Sequence, residues 1–328
     1  MYVLRSGYEE AKILWRREPI SRMLARSDLD GKTRAKLELV LAVREFARDK
    51  LKLRVGGSYA SYARVDENQI VYVVTAAERF RLQAYTWWFP IVGRVPYKGY
   101  FDKQPAEAEA AKLEEEGYDT LVRPSAAFST LGWFDDPLLS TVLSYDEVTL
   151  AEVVIHELLH NTTYVPGHAD FDESFANFVG NRGAIAFFAA RDDVSSVELG
   201  TLAWQDSLAF SEFLGRNVER LRREYNGGLT RDSRTRVFQE MQDEFRTLPW
   251  RTEIYRSFGS RPLNNAVILH YLVYGDRLQL FERLWQQQGE DLGSVIQQIR
   301  DATDVHRDDP FAAVERLIAP PAATTAGR

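Results

Sequence analysis

The chain contains no cysteine. Disulfides, thiolate nucleophiles and every cysteine-based zinc site are thereby excluded, so a transition metal here must be held by histidine and carboxylate. Histidine is scarce too: only His156, His160, His168, His270 and His306 are available. Basic charge is not in excess, since 48 acidic against 41 basic side chains leave a formal charge of -7. That balance argues against nucleic acid as the main partner. No apolar run approaches the roughly 18–20 residues that would span a bilayer. The first twenty residues carry Arg5, Glu9, Glu10, Lys12, Arg16 and Arg17 where a signal peptide would have its apolar core. Internal repeats and Gly/Ser linkers are also missing. With 328 residues, 45% of them hydrophobic, the chain reads as a single domain over 1–317 with two parts, 1–145 and 146–317, sharing a cleft. The end, IAPPAATTAGR, is too poor in docking side chains to be more than a disordered tail over 318–328.

What is present falls into two textures. From Gly7 to Lys52 apolar residues recur at helical spacing, broken at Asp28 to Gly31, which predicts two helices. β-Branched and aromatic runs follow, IVYVV at 70–74 and YTWWFPIVG at 85–93, and these predict short strands. A helix over Pro105 to Glu116 and strands near 119–123 and 126–134 complete a small mixed region. After Asp146 the pattern is almost wholly helical, with a charged hairpin from Val197 to Arg246 interrupted at Asn226-Gly227-Gly228. The fold class expected is α+β, mostly helical, with a small mixed sheet and a helical C-terminal part.

The informative segment is AEVVIHELLHNTTYVPGHADFDESFANFVG, residues 151–180. Ser144-x-x-Glu147 and Thr149-x-x-Glu152 each offer a capping box, and Pro166-Gly167 marks where the helix must have ended. His156 and His160 therefore lie on one helix, about 400° apart, so both imidazoles leave nearly the same face and can reach one tetrahedral ion. Glu157 stands beside the first of them. In this HExxH arrangement two histidines bind zinc, one per chain, and the glutamate is the general base for the metal-bound water. The metzincin continuation fails, because Thr163 occupies its glycine position and His168 comes eight residues after His160. His168 reads as a loop residue and His306 as a surface one. Glu173 is the better third ligand: twelve residues separate it from His160, enough for the chain to turn and bring a carboxylate back on a second helix. Asn177, one turn further, could hold the distal nitrogen of a ligand histidine. Near the end, NNA at 264–266 opens a helix on which His270 and Tyr274 share a face, with Tyr271 close by; any of these could supply an oxyanion donor.

HExxH followed by a glutamate from a second helix resembles the gluzincin metallopeptidases, with Asp172, Glu173 and Asn177 in place of their N-E-x-x-x-D-like segment. The chain is more closely similar to a bacterial family of putative (predicted) aminopeptidases in RREPI at 16–20, VPYKGYFD at 95–102, STLGWFDDPLLST at 129–141, HELLHNTTYVPG, FDESFANFVG, and NNA followed by Tyr274. Asp172 departs from the asparagine usual there, and no G-x-M-E-N segment of the well-known gluzincin aminopeptidases is present. The resemblance implies a gluzincin-like zinc metallopeptidase that hydrolyses peptide bonds, with Tyr274 as the preferred catalytic partner of Glu157. It also implies a cell-envelope or periplasmic setting, with an anchor segment lying outside this sequence; a cytoplasmic protein is the alternative. Gly132 on a candidate edge strand could pair with an extended peptide, and Asp135 and Asp136 could take its α-ammonium. Rival readings are an endopeptidase or amidohydrolase acting on envelope peptides, and a catalytically silent zinc-binding scaffold. The oligomeric state is not legible.

Overall fold

Helix dominates the computed structural model, which describes residues 17–65, 71–89, 93–100, 102–125 and 135–318. Strand β1 (Glu18–Pro19) leads into the short helix α1 (Ile20–Leu24) and then α2 (Gly31–Asp49). Asp30 caps α2 by accepting from the Thr33 backbone N–H at 2.9 Å. Leu37, Val40, Val43 and Ala47 recur every three or four residues and are all buried, which is why this helix forms and how it docks. The second expected N-terminal helix thus stands. Of the first, Ile20–Leu24 falls among the described residues, and Pro19 just before it is in extended backbone.

Two small sheets and a ribbon follow. β2 (Ser61–Ala63) pairs antiparallel with β1 and parallel with β8 (Leu138–Leu139). β6 (Tyr97–Tyr100), β3 (Val71–Glu78) and β7 (Tyr118–Ser125) form an antiparallel sheet with β3 in the middle. β4 (Trp87–Phe89) and β5 (Gly93–Val95) make a two-stranded ribbon. Because side chains alternate across a strand, the β3 sheet has two distinct faces. Val74, Ala76 and Val122 pack on α3 (Lys103–Glu115) through Ala106, Ala110 and Leu113. On the other face the register sets Thr75 between Tyr97 and Leu121, and Val73 between Gly99 and Arg123. The strand expected at 126–134 lies outside the described residues.

The remainder is helical: α4 (Glu147–His160), α5 (Ala169–Ala189), α6 (Val194–Asn226), α7 (Arg231–Thr247), α8 (Arg256–Ser260), α9 (Asn265–Gly275), α10 (Leu278–Gln287), α11 (Leu292–Val305) and α12 (Pro310–Ile318). Gly228, at φ +84°, ends α6 where the hairpin break was expected, and a Thr230–Ser233 capping box starts α7. The hairpin's Arg/Glu runs are solvated, and its other face is apolar. Phe210, Phe213, Phe238 and Phe245 bury a second core with Phe258, behind exposed pairs such as Arg216–Glu212. α4 and α5 run through the main core and approach closely at Gly180, where an added Cβ would lie 2.9 Å from the Glu152 carbonyl oxygen and 3.2 Å from His156 Cβ. α9 packs against α5, α6, β3 and β7, so it joins the helical part to the sheet. Among the described residues no helix is long and apolar enough to cross a membrane.

Candidate metal centre

α4 starts at Asp146, whose carboxylate accepts from the backbone N–H and the hydroxyl of Thr149 at 2.9 and 2.8 Å. Neither capping box read from the sequence is used: Asp146 takes the N-cap, and Ser144 is spent on the Thr141 carbonyl. α4 ends at His160, and Gly167 at φ +90° completes the turn. Asp172 closes this loop by accepting from the Val165 N–H at 2.9 Å. Glu173, in the first turns of α5, then stands against both histidines. His156 Nε2 is 3.1 Å from Glu173 Oε2 and 3.3 Å from His160 Nε2, and His160 Nε2 is 3.8 Å from the same carboxylate oxygen.

These three atoms form the vertices of one small triangle, and His156, His160 and Glu173 are the group among the described residues whose donor atoms could hold a metal ion together. Bonds of about 2.0–2.1 Å to a tetrahedral ion imply donor separations of about 3.4 Å, so the spacing fits such an ion. Electrostatics reinforce the cluster. Burial by itself would raise Glu173, but His156 and His160 outweigh it and hold its carboxyl far below the usual range. Burial would lower His160, yet Glu173, Glu157 and Asp172 push it up to about 9. Glu157 Oε2 is buried without a hydrogen-bond partner among the described residues. A carboxylate left dry and unpaired at a concentration of donors is what a bound ion or its substrate would complete.

A family model described as "Putative aminopeptidase" matches residues 1–312. The chain belongs to this family. Comparison with curated proteins and with solved structures returned no match. The family's description points to a peptidase, and those of the resemblance residues that are described can now be placed. Tyr274 lies beside the cluster, its ring centroid 6.5 Å from that of His156. Burial, then the charge of Glu173, raises its phenol so that it keeps its proton. Tyr271 instead hydrogen-bonds Ser257 at 2.9 Å and packs in the second core. His270, 5.6 Å from the Tyr274 ring, is pushed down to about 3 by burial and by Arg123 and Arg261. His168 is the residue before α5, and His306, after α11, is exposed.

The structure gives contacts for three further residues singled out in the sequence. Asn177 does not hold a histidine among the described residues: its amide donates to the Tyr274 carbonyl at 2.8 Å and its Oδ1 accepts from Asn181. It ties α5 to α9 instead. Asp135 is exposed, but its carboxylate accepts from the Gly57 N–H at 2.7 Å. Asp136 is buried, its carbonyl accepting from Tyr59 N–H. Both residues contact the 56–59 loop, Asp135 through its carboxylate and Asp136 through its backbone carbonyl. Gly132 lies outside the described residues. The sequence reading also missed neighbours of the cluster. Buried Tyr59, at φ +58°, feels the charge of Glu157 and Asp136. Tyr97, 43% exposed at the end of β6, feels Glu173 and Glu157. Glu152, one turn before His156, is raised to about 7 by burial, against His156 and an Asn181 hydrogen bond. Two of these had a signal: Glu152 in its i,i+4 spacing to His156, and Tyr97 as one of the YKGYF aromatics, undecided in the sequence between core and subsite.

Proposed function

We propose that the chain is a gluzincin-type zinc metallopeptidase acting as an aminopeptidase. His156, His160 and Glu173 would hold one zinc, and Glu157 would be the general base. The observation that carries this reading is the convergence of three donor atoms within 4.8 Å of one another next to a buried, unpartnered Glu157 oxygen. A purely structural site has no use for such a carboxylate. When bound, zinc supplies Lewis acidity that polarises the scissile carbonyl and acidifies water.

The chain's own residues account for the rest. Glu157 takes a proton from the attacking water as the new C–O bond forms, and returns it to the amine as the C–N bond breaks. Tyr274, kept protonated by its surroundings, can donate a hydrogen bond to the oxygen that gains charge in the tetrahedral state. Asn177 and Ser174 position that phenol, since they bond the carbonyls of Tyr274 and Val273 at 2.8 and 3.2 Å. Exopeptidase character rests on the family description.

The test is Glu157→Gln in protein loaded with zinc. It should retain about one zinc per chain by elemental analysis and lose at least about a hundredfold in kcat on a peptide that the wild type cleaves. Near wild-type turnover would remove Glu157 from the mechanism, and failure of the wild type to retain zinc after reconstitution would remove the metal centre.

A further inference from the structure

The face of the β3 sheet that turns to α9 carries two polar groups with nothing to bond. Arg123 Nε and Thr75 Oγ1 are both buried without a hydrogen-bond partner among the described residues. The register makes them diagonal neighbours on adjacent strands, since Arg123 is opposite Val73 and Thr75 is two residues along from Val73 on the same face. Arg123 also has no ion-pair partner among the described residues. Leaving a dry guanidinium nitrogen and a hydroxyl side by side is costly, and such orphans persist where something else completes them.

Their place relative to the metal centre follows from how β7 and α9 are docked. Asp119 on β7 accepts from the Asn265 N–H at the start of α9 at 2.9 Å and also engages Arg79 and Arg234. From that pin, four strand residues reach Arg123 and nine helical residues reach Tyr274, both distances being about 13–14 Å. Because α9 packs against β7, Arg123 and Tyr274 lie at matching intervals from the pin they share. Consistently, Arg123 acts on His270, Tyr274 and Tyr97, whereas Tyr274 and Tyr97 also feel Glu173 and Glu157. The two phenols thus feel both the acidic residues of the metal cluster and the basic Arg123. Arg261 has an Nε likewise buried without a partner among the described residues, and it too acts on His270.

We infer that Arg123, with Thr75 beside it, is the anchor for the free C-terminal carboxylate of a short peptide. The inference rests on the peptidase reading above and narrows it to substrates of dipeptide or tripeptide size. A planar guanidinium suits a carboxylate in a paired geometry, and the threonine hydroxyl can donate a further hydrogen bond to the same anion. Arg123 is a binding residue for the group one step removed from the reacting bond.

The probes are Leu-Phe and Leu-Phe amide, which differ in the carboxylate alone. Binding of each is measured by calorimetry on the protein as purified, and hydrolysis of each on the zinc-loaded enzyme. The wild type should favour the free acid by about tenfold to a hundredfold, mainly through Kd and KM. Arg123→Gln should make acid and amide equivalent, Arg123→Lys should recover part of the preference, and Thr75→Val should lower it severalfold. If Arg123→Gln fails to fold, the Lys and Val variants carry the comparison. A wild type without preference for the acid, including one that binds neither probe, overturns the inference, as does a preference that survives Arg123→Gln. Acid-selective, Arg123-dependent binding without cleavage would leave the anchor standing and sink the peptidase reading. Cleavage of both probes at equal efficiency would do the reverse.

Discussion

His270 shows how a single side chain near the centre sets a pH limit on the fold. Burial first, then Arg123 and Arg261, lowers it to about 3, so it is neutral in the folded protein while an unfolded chain would protonate it near pH 6.5. Between those values the unfolded state binds more protons, and stability must fall as pH falls. Its contribution is fully present above about pH 6.5 and is lost progressively toward pH 3. His270→Gln should remove roughly 2 kcal/mol of the stability difference between pH 7 and pH 4.5. Urea midpoints of wild type and variant at the two pH values would show this; equal differences in both proteins would mean His270 is not kept neutral. The contrast with His156 and His160 is instructive at the same scale. Their placement side by side was legible in the sequence because a helix fixes the angle between residues four apart, whatever surrounds it. Arg123 and Tyr97 were not legible. Whether a strand residue points to the site or away depends on which face of the sheet is covered by α3 and which by α9, and no local spacing contains that information.

Among the elements, the pairing of α4 with α5 determines whether the cluster exists. Glycine inside a helix costs about 1 kcal/mol relative to alanine, so Gly180→Ala would be stabilising if only propensity mattered. The close approach decides otherwise, because a Cβ 2.9 Å from the Glu152 carbonyl and 3.2 Å from His156 Cβ forces the helices apart. Gly180→Ala should therefore cost about 1–3 kcal/mol and weaken zinc binding by displacing His156 from Glu173. Urea unfolding and competition with a chelator would measure the two effects; unchanged zinc affinity would show that the pair tolerates separation. Elements were read from sequence with uneven success for the same physical reason. α2 and the α6–α7 hairpin were evident from apolar spacing and from Asn226-Gly227-Gly228, whereas β1, β2 and β8 are two or three residues long and carry no period to read. Asp146 displaced both capping boxes because sequence offers several caps and only the fold chooses among them.

At the scale of the whole molecule, the candidate centre is built on α4 and α5, which run through the main core, while a separate aromatic core involves α9 and a small one lies between the β3 sheet and α3. An ion bound there by residues of two helices in the main core would favour the folded state by mass action. Zinc at about a thousand times its Kd should stabilise by about 4 kcal/mol and raise the Tm by about 5–10 °C, and a chelator should reverse the shift. Differential scanning calorimetry with and without zinc is the measurement. A shift that persists in Glu173→Gln would place the stabilising ion elsewhere.

The pin at Asp119 also limits how the chain can vary in length. Asp119 and Arg123 belong to one strand and one face, and the interval between them is measured against α9. Inserting a single residue there would turn the guanidinium onto the α3 side, and inserting two would restore the face but advance it by about 6–7 Å. Side chains in that interval can be exchanged, but their number cannot. Length change in this protein is therefore confined to segments beyond the ends of β7, while the stretch from Asp119 to Arg123 acts as a ruler that evolution or an engineer must leave uncut.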